Sequence, residues 1–157
     1  MLDEIAINAA IEESKINSSN NYQKGGPFGA VIVKDGKIIA SSHNTVIEDN
    51  DPTAHAEINV IRKASKILNT HDLSGCILYV NCEPCPMCLS AIIWANIKEV
   101  YFANTRVDAC DIGFRDDIIY EFLKGNVSDI INLHHIDSST AKGVFDNFKC
   151  LNDKKLY

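Results

Sequence analysis

Two short segments combine residue types with few joint uses outside metal chemistry: His55-Ala56-Glu57 and Pro84-Cys85-Pro86-Met87-Cys88. Neutral imidazole nitrogen and thiolate sulfur are preferred ligands of Zn²⁺. A catalytic zinc keeps three protein ligands, so that water can take the fourth position. His55, Cys85 and Cys88 supply such a set for one zinc per chain. Two thiolates and a neutral imidazole bring the formal charge of the centre near zero, while the metal still acidifies its water towards a pKa of ~7. Glu57, two residues past the histidine, can reach that water rather than the metal and move its protons.

A closed structural site is the rival arrangement. Cys82 precedes Cys85 by three residues, so Cys82, Cys85, Cys88 and His55 could form a Cys₃His centre. In that case Glu57 would be an ordinary helix-surface carboxylate and the chain a non-catalytic, zinc-stabilised interaction module. The open site is preferred. Cys82 falls at the end of a strand, pointing away from ligands on the next helical turn, and only an open site gives Glu57 a task.

The elements that must hold these residues follow from apolar spacing. Leu2, Ile5, Ala6, Ala9 and Ile16 share one face of a helix over residues 2–16. Phe28–Val33 and Lys37–Ala40 flank Asp35-Gly36 and predict a hairpin. Residues 44–52 are polar and predict a loop. A helix is expected from Ala54 to Leu68, with Ile58, Ile61, Ala64, Ile67 and Leu68 inward. Asp51 or Thr53 would cap it, with Pro52 in its first turn. Cys76–Val80 and Val100–Ala103 read as strands on either side of a helix over Pro86–Ala95. A helix at Asp117–Leu123, a strand at Ile131–Ile136 and a helix at Ser139–Phe148 complete the chain. Strands alternating with helices imply one α/β domain spanning 1–157, its mixed sheet of about five strands covered on both faces.

This order puts His55 at one helix start and Cys85 and Cys88 at another. Helix N-termini carry partial positive charge, which stabilises thiolates. Cysteines three apart share a helical face, so one metal can take both.

Size and charge narrow the partners. The chain has 157 residues, 46% of them hydrophobic, enough for one full core. Its net charge of −6 and pI near 5.3 argue against binding nucleic acid through phosphate neutralisation and favour a small neutral substrate. No apolar run approaches the ~20 residues needed to cross a bilayer. Met1-Leu2-Asp3-Glu4 lacks the basic and apolar regions of a signal peptide, so a cytoplasmic protein without membrane partners is expected. Three of six cysteines cluster within seven residues, which in a reducing compartment suggests metal rather than disulfides.

The histidine-x-glutamate and proline-cysteine-x-x-cysteine pair resembles the zinc-dependent nucleobase deaminases of the cytidine deaminase-like superfamily. Within it the chain is most similar to bacterial guanine deaminases. That likeness runs through Gly25–Val33, Asn50–Glu57, Cys82–Cys88, Trp94-Ala95, Gly113-Phe114, Asp116-Asp117, Ile119-Tyr120 and the terminal Lys154–Tyr157. The resemblance implies the three-layer α-β-α fold and hydrolysis of guanine to xanthine and ammonia. Catalytic roles fall to Glu57 and Asp116, and contacts to the purine to Phe28, Asn44, Ala56, Trp94 and Tyr157. It further implies a homodimer in which the segment 137–157 is exchanged and Tyr157 closes the partner's site.

On residue type alone each has an ordinary alternative. Phe28 could be core, Trp94 packing or dimer interface, Asn44 a turn residue, and Tyr157 a frayed end. Asp116 could cap a helix, or Asp117 could take its role. Arg115 stands where an acidic residue is the pattern. Two other deaminase readings compete. A tRNA adenosine deaminase needs a basic track, whereas residues 137–157 hold four lysines and three aspartates, a net of +1. A cytosine or cytidine enzyme fits the Asp-Pro-Thr-Ala-His-Ala-Glu context less well than a purine enzyme.

Overall fold

Asp35 and Gly36 both take positive φ, 49° and 74°, so their turn matches the twist of the strands it joins, β1 (Gly29–Lys34) and β2 (Lys37–His43). The computed structural model describes residues 2–18, 24–128 and 130–156. Its β1 also pairs antiparallel with β3 (Ile77–Cys82), which pairs parallel with β4 (Glu99–Asn104), giving the order β2-β1-β3-β4. A parallel neighbour needs a crossover, and α4 (Pro86–Trp94) provides it.

Alternation along β1 divides the core in two. Val31 and Val33 pack with Tyr79 against Ala6 and Ala10 of α1 (Leu2–Ser18). Ala30 and Ile32 pack with Leu78 and Val80 on the opposite face. There they meet Val60 and Ala64 of α3 (Ala56–Leu68) and Ile92 of α4. Side chains as fully buried as Ile32 and Leu78 stabilise the fold by about 1.5–3 kcal/mol each. The result is the expected α-β-α layering. A Cβ on Gly29 would meet the Ala10 carbonyl oxygen at 2.1 Å, so that glycine lets α1 lie close on the sheet.

Four expectations are corrected. The polar stretch 44–52 contains a short helix, α2 (Val46–Asp49), ended by Asn50 in the left-handed region. The helix expected from Ala54 starts at Ala56 and its N-cap is His55, not Asp51 or Thr53. Asp51 instead accepts from the Thr53 N–H and hydroxyl at 2.8 and 2.7 Å, fixing a turn that also holds Pro52. Ile67 is 61% exposed, and Val60 takes the inward position. The segment 131–136 is not a strand, so the sheet has four strands among the described residues rather than about five.

Beyond β4 lie α5 (Arg106–Asp111), α6 (Asp117–Leu123) and α7 (Ser139–Lys149). Thr105 and Asp108 form a capping box that starts α5, a helix that the apolar spacing does not announce. Every described residue from 130 to 156 except Gly143 is exposed. Among the described residues no helix is long and apolar enough to cross a membrane.

Candidate active site

Two helix starts meet at one point. His55 caps α3 and Cys85 caps α4, both with extended backbone (φ −67°, ψ 157° and φ −68°, ψ 167°), and neither side chain makes a helix-cap hydrogen bond. Pro86 occupies the first position of α4, where its fixed φ suits the helix and its missing N–H costs nothing. Both side chains are thereby free to face each other, and Cys88 joins them one turn into α4.

The Nδ1 atom of His55 lies 3.6 Å from Sγ of Cys85 and 3.6 Å from Sγ of Cys88. Zinc bonds of about 2.3 Å to sulfur and 2.0–2.1 Å to nitrogen, at a tetrahedral angle, separate N and S by about 3.6 Å. The three ligand atoms all fall within 4.8 Å of one another. The residues therefore fit one zinc, with the fourth direction left to the cavity. Cys82, the rival fourth ligand, turns aside: it is buried at the end of β3 and its thiol meets the Thr105 carbonyl at 3.6 Å. Burial, with the Glu57 and Asp116 carboxylates nearby, pushes that thiol up to about 11.

Electrostatics tie the group together. Hydrogen bonds from Cys88, against the effect of burial, and from His55 pull the Cys85 thiol down to about 4. The Cys88 thiol is pushed up by its bond to Cys85 and by burial. The Cys85 bond raises His55 despite burial. Glu57 is 7% exposed, and burial, then the Cys85 thiolate, carry it up to about 7. Asp116 is raised by burial and by the same thiolate.

These groups form one end of a cavity of about 400 Å³. Glu57, Asp116 and Glu83 bring carboxylates to it, and Phe28 and Phe114 an aromatic corner, their rings perpendicular with centroids 4.8 Å apart. Asn44 also lines it, 3% exposed, its Oδ1 accepting from the Val46 N–H at 3.0 Å. That bond leaves the Asn44 amino group to a ligand. The walls are held by amides. Asn81 of β3 donates to the Pro27 carbonyl and accepts from the Gly29 N–H, both at 2.9 Å, while Asn59 of α3 donates to the His43 carbonyl at 3.0 Å.

Of the residues singled out by sequence, His55, Glu57, Cys85, Phe28, Asn44 and Asp116 line this cavity, and Cys88 lies directly behind them. Asp116 precedes α6 without a side-chain cap bond, so its carboxylate is not committed to the helix; Asp117 is exposed. Ala56 is packed in the core at the first residue of α3. Trp94, 63% exposed, lies on the outer face of α4 beside Ile61 and Ala95, away from the cavity of its own chain. Tyr157 lies outside the described residues. Phe114 and Glu83 have no role in the sequence reading. Both do stand within quoted segments, Phe114 in Gly113-Phe114 and Glu83 in Cys82–Cys88, which is the signal that could have found them.

The chain is similar to known proteins. Residues 2–104 match the family described as the cytidine and deoxycytidylate deaminase zinc-binding region. Guanine deaminase of Bacillus subtilis (strain 168) is 60% identical over 97 residues, 62% of each chain. A tRNA-specific adenosine deaminase of Aquifex aeolicus is 46% identical over 101 residues, 64% of each. Both matched stretches thus span under two thirds of those curated relatives. An X-ray structure of guanine deaminase from Bacillus subtilis superposes with a TM-score of 0.90 at 42% identity, covering 98% of both chains. The family match extends from the first helix through β4 and contains all three ligands, so the chain belongs to the cytidine and deoxycytidylate deaminase zinc-binding family.

Proposed function

We propose that this chain hydrolyses guanine to xanthine and ammonia as a single catalytic domain. The observation that carries the reading is the likeness to the Bacillus subtilis guanine deaminase structure over 98% of both chains, which takes in nearly all of the chain after residue 104, where the family match ends. The cavity suits a flat, neutral, amine-bearing ring: an aromatic corner for its faces, an amide for one edge and carboxylates beside the metal ligands for the other.

His55, Cys85 and Cys88 would hold the zinc ion, which when bound would supply an acidified water as the nucleophile at neutral pH. Glu57 accepts a proton from that water on its carboxylate and delivers it to the ring nitrogen next to the carbon under attack. It then carries the second water proton to the exocyclic nitrogen. A C–O bond forms, the C–N bond breaks and ammonia leaves, one proton of the water ending on the ring and one on ammonia. A carboxyl raised to about 7 both takes and gives protons at neutral pH. Asp116 faces the same end of the cavity, where it holds the amino side of the ring. Phe28 and Phe114 position the purine faces, and Asn44 Nδ2 donates to its edge.

We infer further that the working unit is a homodimer with residues 137–157 exchanged. The apolar side chains of α7 support this: Val144 and Phe145 are 61% and 79% exposed, a poor arrangement for a lone chain in water. β4 likewise presents Tyr101 and Phe102 half-exposed at the open edge of the sheet, apolar surface that a partner subunit would cover. Trp94 and Tyr157 then serve the site across the interface, and Ala56 through its backbone at the start of α3. Three clustered thiols poised for metal fit a cytoplasmic setting.

The test is ammonia release from zinc-loaded protein given guanine, adenine, cytosine, their nucleosides and a tRNA anticodon loop. Release from guanine supports the proposal; release confined to the tRNA loop or to cytosine overturns it.

A further inference from the structure

We propose that Asn17 is a positioning residue for Asn44 and so helps set how tightly the purine edge is held. This rests on the proposed guanine deamination.

Asn17 is in the last turn of α1, on the far side of the sheet from the metal ligands, and belongs to none of the motifs described above. It is nevertheless 4% exposed and reaches the cavity lining. Its Nδ2 donates to two carbonyls at once: Gly26 at 2.8 Å and Asn44 at 2.7 Å. Carbonyl oxygens only accept, so the amide orientation is forced. One side chain thus bridges the glycine loop, which lies against Phe28, to the end of β2, which carries Asn44.

The other half of the amide shows what this arrangement costs. Asn17 Oδ1 is buried and has no hydrogen-bond partner among the described residues. Leaving such an acceptor unmet is unfavourable, because its bond to water is lost and not replaced. An amino group with two donors aimed at two carbonyls is what offsets that loss, since serine would supply one donor and aspartate none. The bond to the Asn44 carbonyl and the Asn44 N–H donated to Phe28 O at 3.0 Å fix the backbone of the edge-reading residue from both sides. The Val46 N–H fixes its Oδ1. Asn44 Nδ2 is therefore held in place before any ligand arrives, and Asn17 is the only one of these anchors supplied by another element's side chain.

The experiment is a double-variant cycle on guanine turnover with Asn17→Ala, Asn44→Ala and the pair, each checked for zinc content and melting temperature. Asn17→Ala should raise KM about fivefold or more while kcat and zinc content stay near wild type. In the Asn44→Ala background the same change should raise KM less than about twofold, because the group it positions is gone. A residue that merely supports the fold would lower the melting temperature in both backgrounds and leave KM alone, or would multiply KM equally in both; either outcome overturns the inference. Asn17→Ser, which keeps one donor, should give an intermediate KM and carries the same cycle if the alanine variant fails to fold. Wild-type protein inert towards guanine would instead overturn the functional proposal beneath it.

Discussion

Gly25 passes so close to Asn44 that a Cβ on it would lie 2.0 Å from Asn44 Oδ1. The glycine loop and the Asn44 amide are thus fitted to each other at backbone distance. Gly25→Ala should displace Asn44 from the Val46 N–H and raise KM for guanine by about tenfold, with zinc content unchanged. Steady-state kinetics check it, and an unaltered KM would mean that Asn44 does not touch the base.

Glu57 is buried beside the metal ligands with a proton affinity suited to neutral pH. Glu57→Gln keeps the shape and removes the exchangeable proton. It should bind zinc like the wild type and lose about 10²–10⁴-fold in turnover. Metal analysis paired with ammonia release decides; a near-normal rate would remove Glu57 from the mechanism.

Cys82 and Cys88 separate the open centre from the closed one. Cys82→Ser should retain one zinc per chain, since its thiol meets Thr105 rather than the ligand group. Cys88→Ser should lose most of its metal, Cys88 being within 3.6 Å of the ligating imidazole nitrogen. Loss of zinc from Cys82→Ser would restore the four-ligand structural site.

Glu13 on α1 accepts from Ser41 at 2.6 Å and pairs with His43 at 2.9 Å, next to the Asn44 backbone. Burial pushes this carboxyl up, but those two bonds and the charges of His43 and Lys63 hold it below its ordinary range. A depressed carboxyl contributes stability that is present above its unfolded pKa and lost as pH falls through the folded one. Glu13→Gln should therefore be less stable than wild type at pH 7 by about 1 kcal/mol, and the gap should close as pH falls through and below the ordinary carboxylate range. Melting curves of the two proteins across that range give the difference, in which titration of the metal ligands cancels.

Phe145 is 79% exposed on α7. Phe145→Asp should cost a lone chain little, but in an exchanged dimer it puts a charge into a buried contact. Light scattering should report a dimer for wild type and a shift to monomer for the variant. A wild-type monomer would end the exchanged-tail proposal.

What could be read from the residues was whatever local chemistry decides. Asp35-Gly36 dictates its own turn, and Pro86 after Cys85 marks a helix start, so the hairpin and both ligand helices were legible. The start of α3 was less so: Asp51 and Thr53 look like caps, yet they bond each other, and His55 takes the N-cap because its ring must face the thiols. The residues at 131–136 read as a strand, but a strand exists only where an edge receives it, and none does among the described residues. Asn17 left no local trace at all, because its two carbonyl partners lie 9 and 27 residues away.

α5 and α7 begin on capping side chains, Thr105 and Ser138, whereas α3 and α4 begin on His55 and Cys85, which leave their helix ends uncapped. Forgoing a cap costs about 1 kcal/mol per helix. A bound metal, by pinning both N-cap residues to one point, would tighten the two helix starts that local chemistry leaves loose. Stripping it should speed amide hydrogen exchange at Glu57–Asn59 and Met87–Leu89 together, while the Asp35-Gly36 turn keeps its own rate. Occupancy of the metal would then be legible in backbone breathing at two places far apart in the chain, with no substrate present.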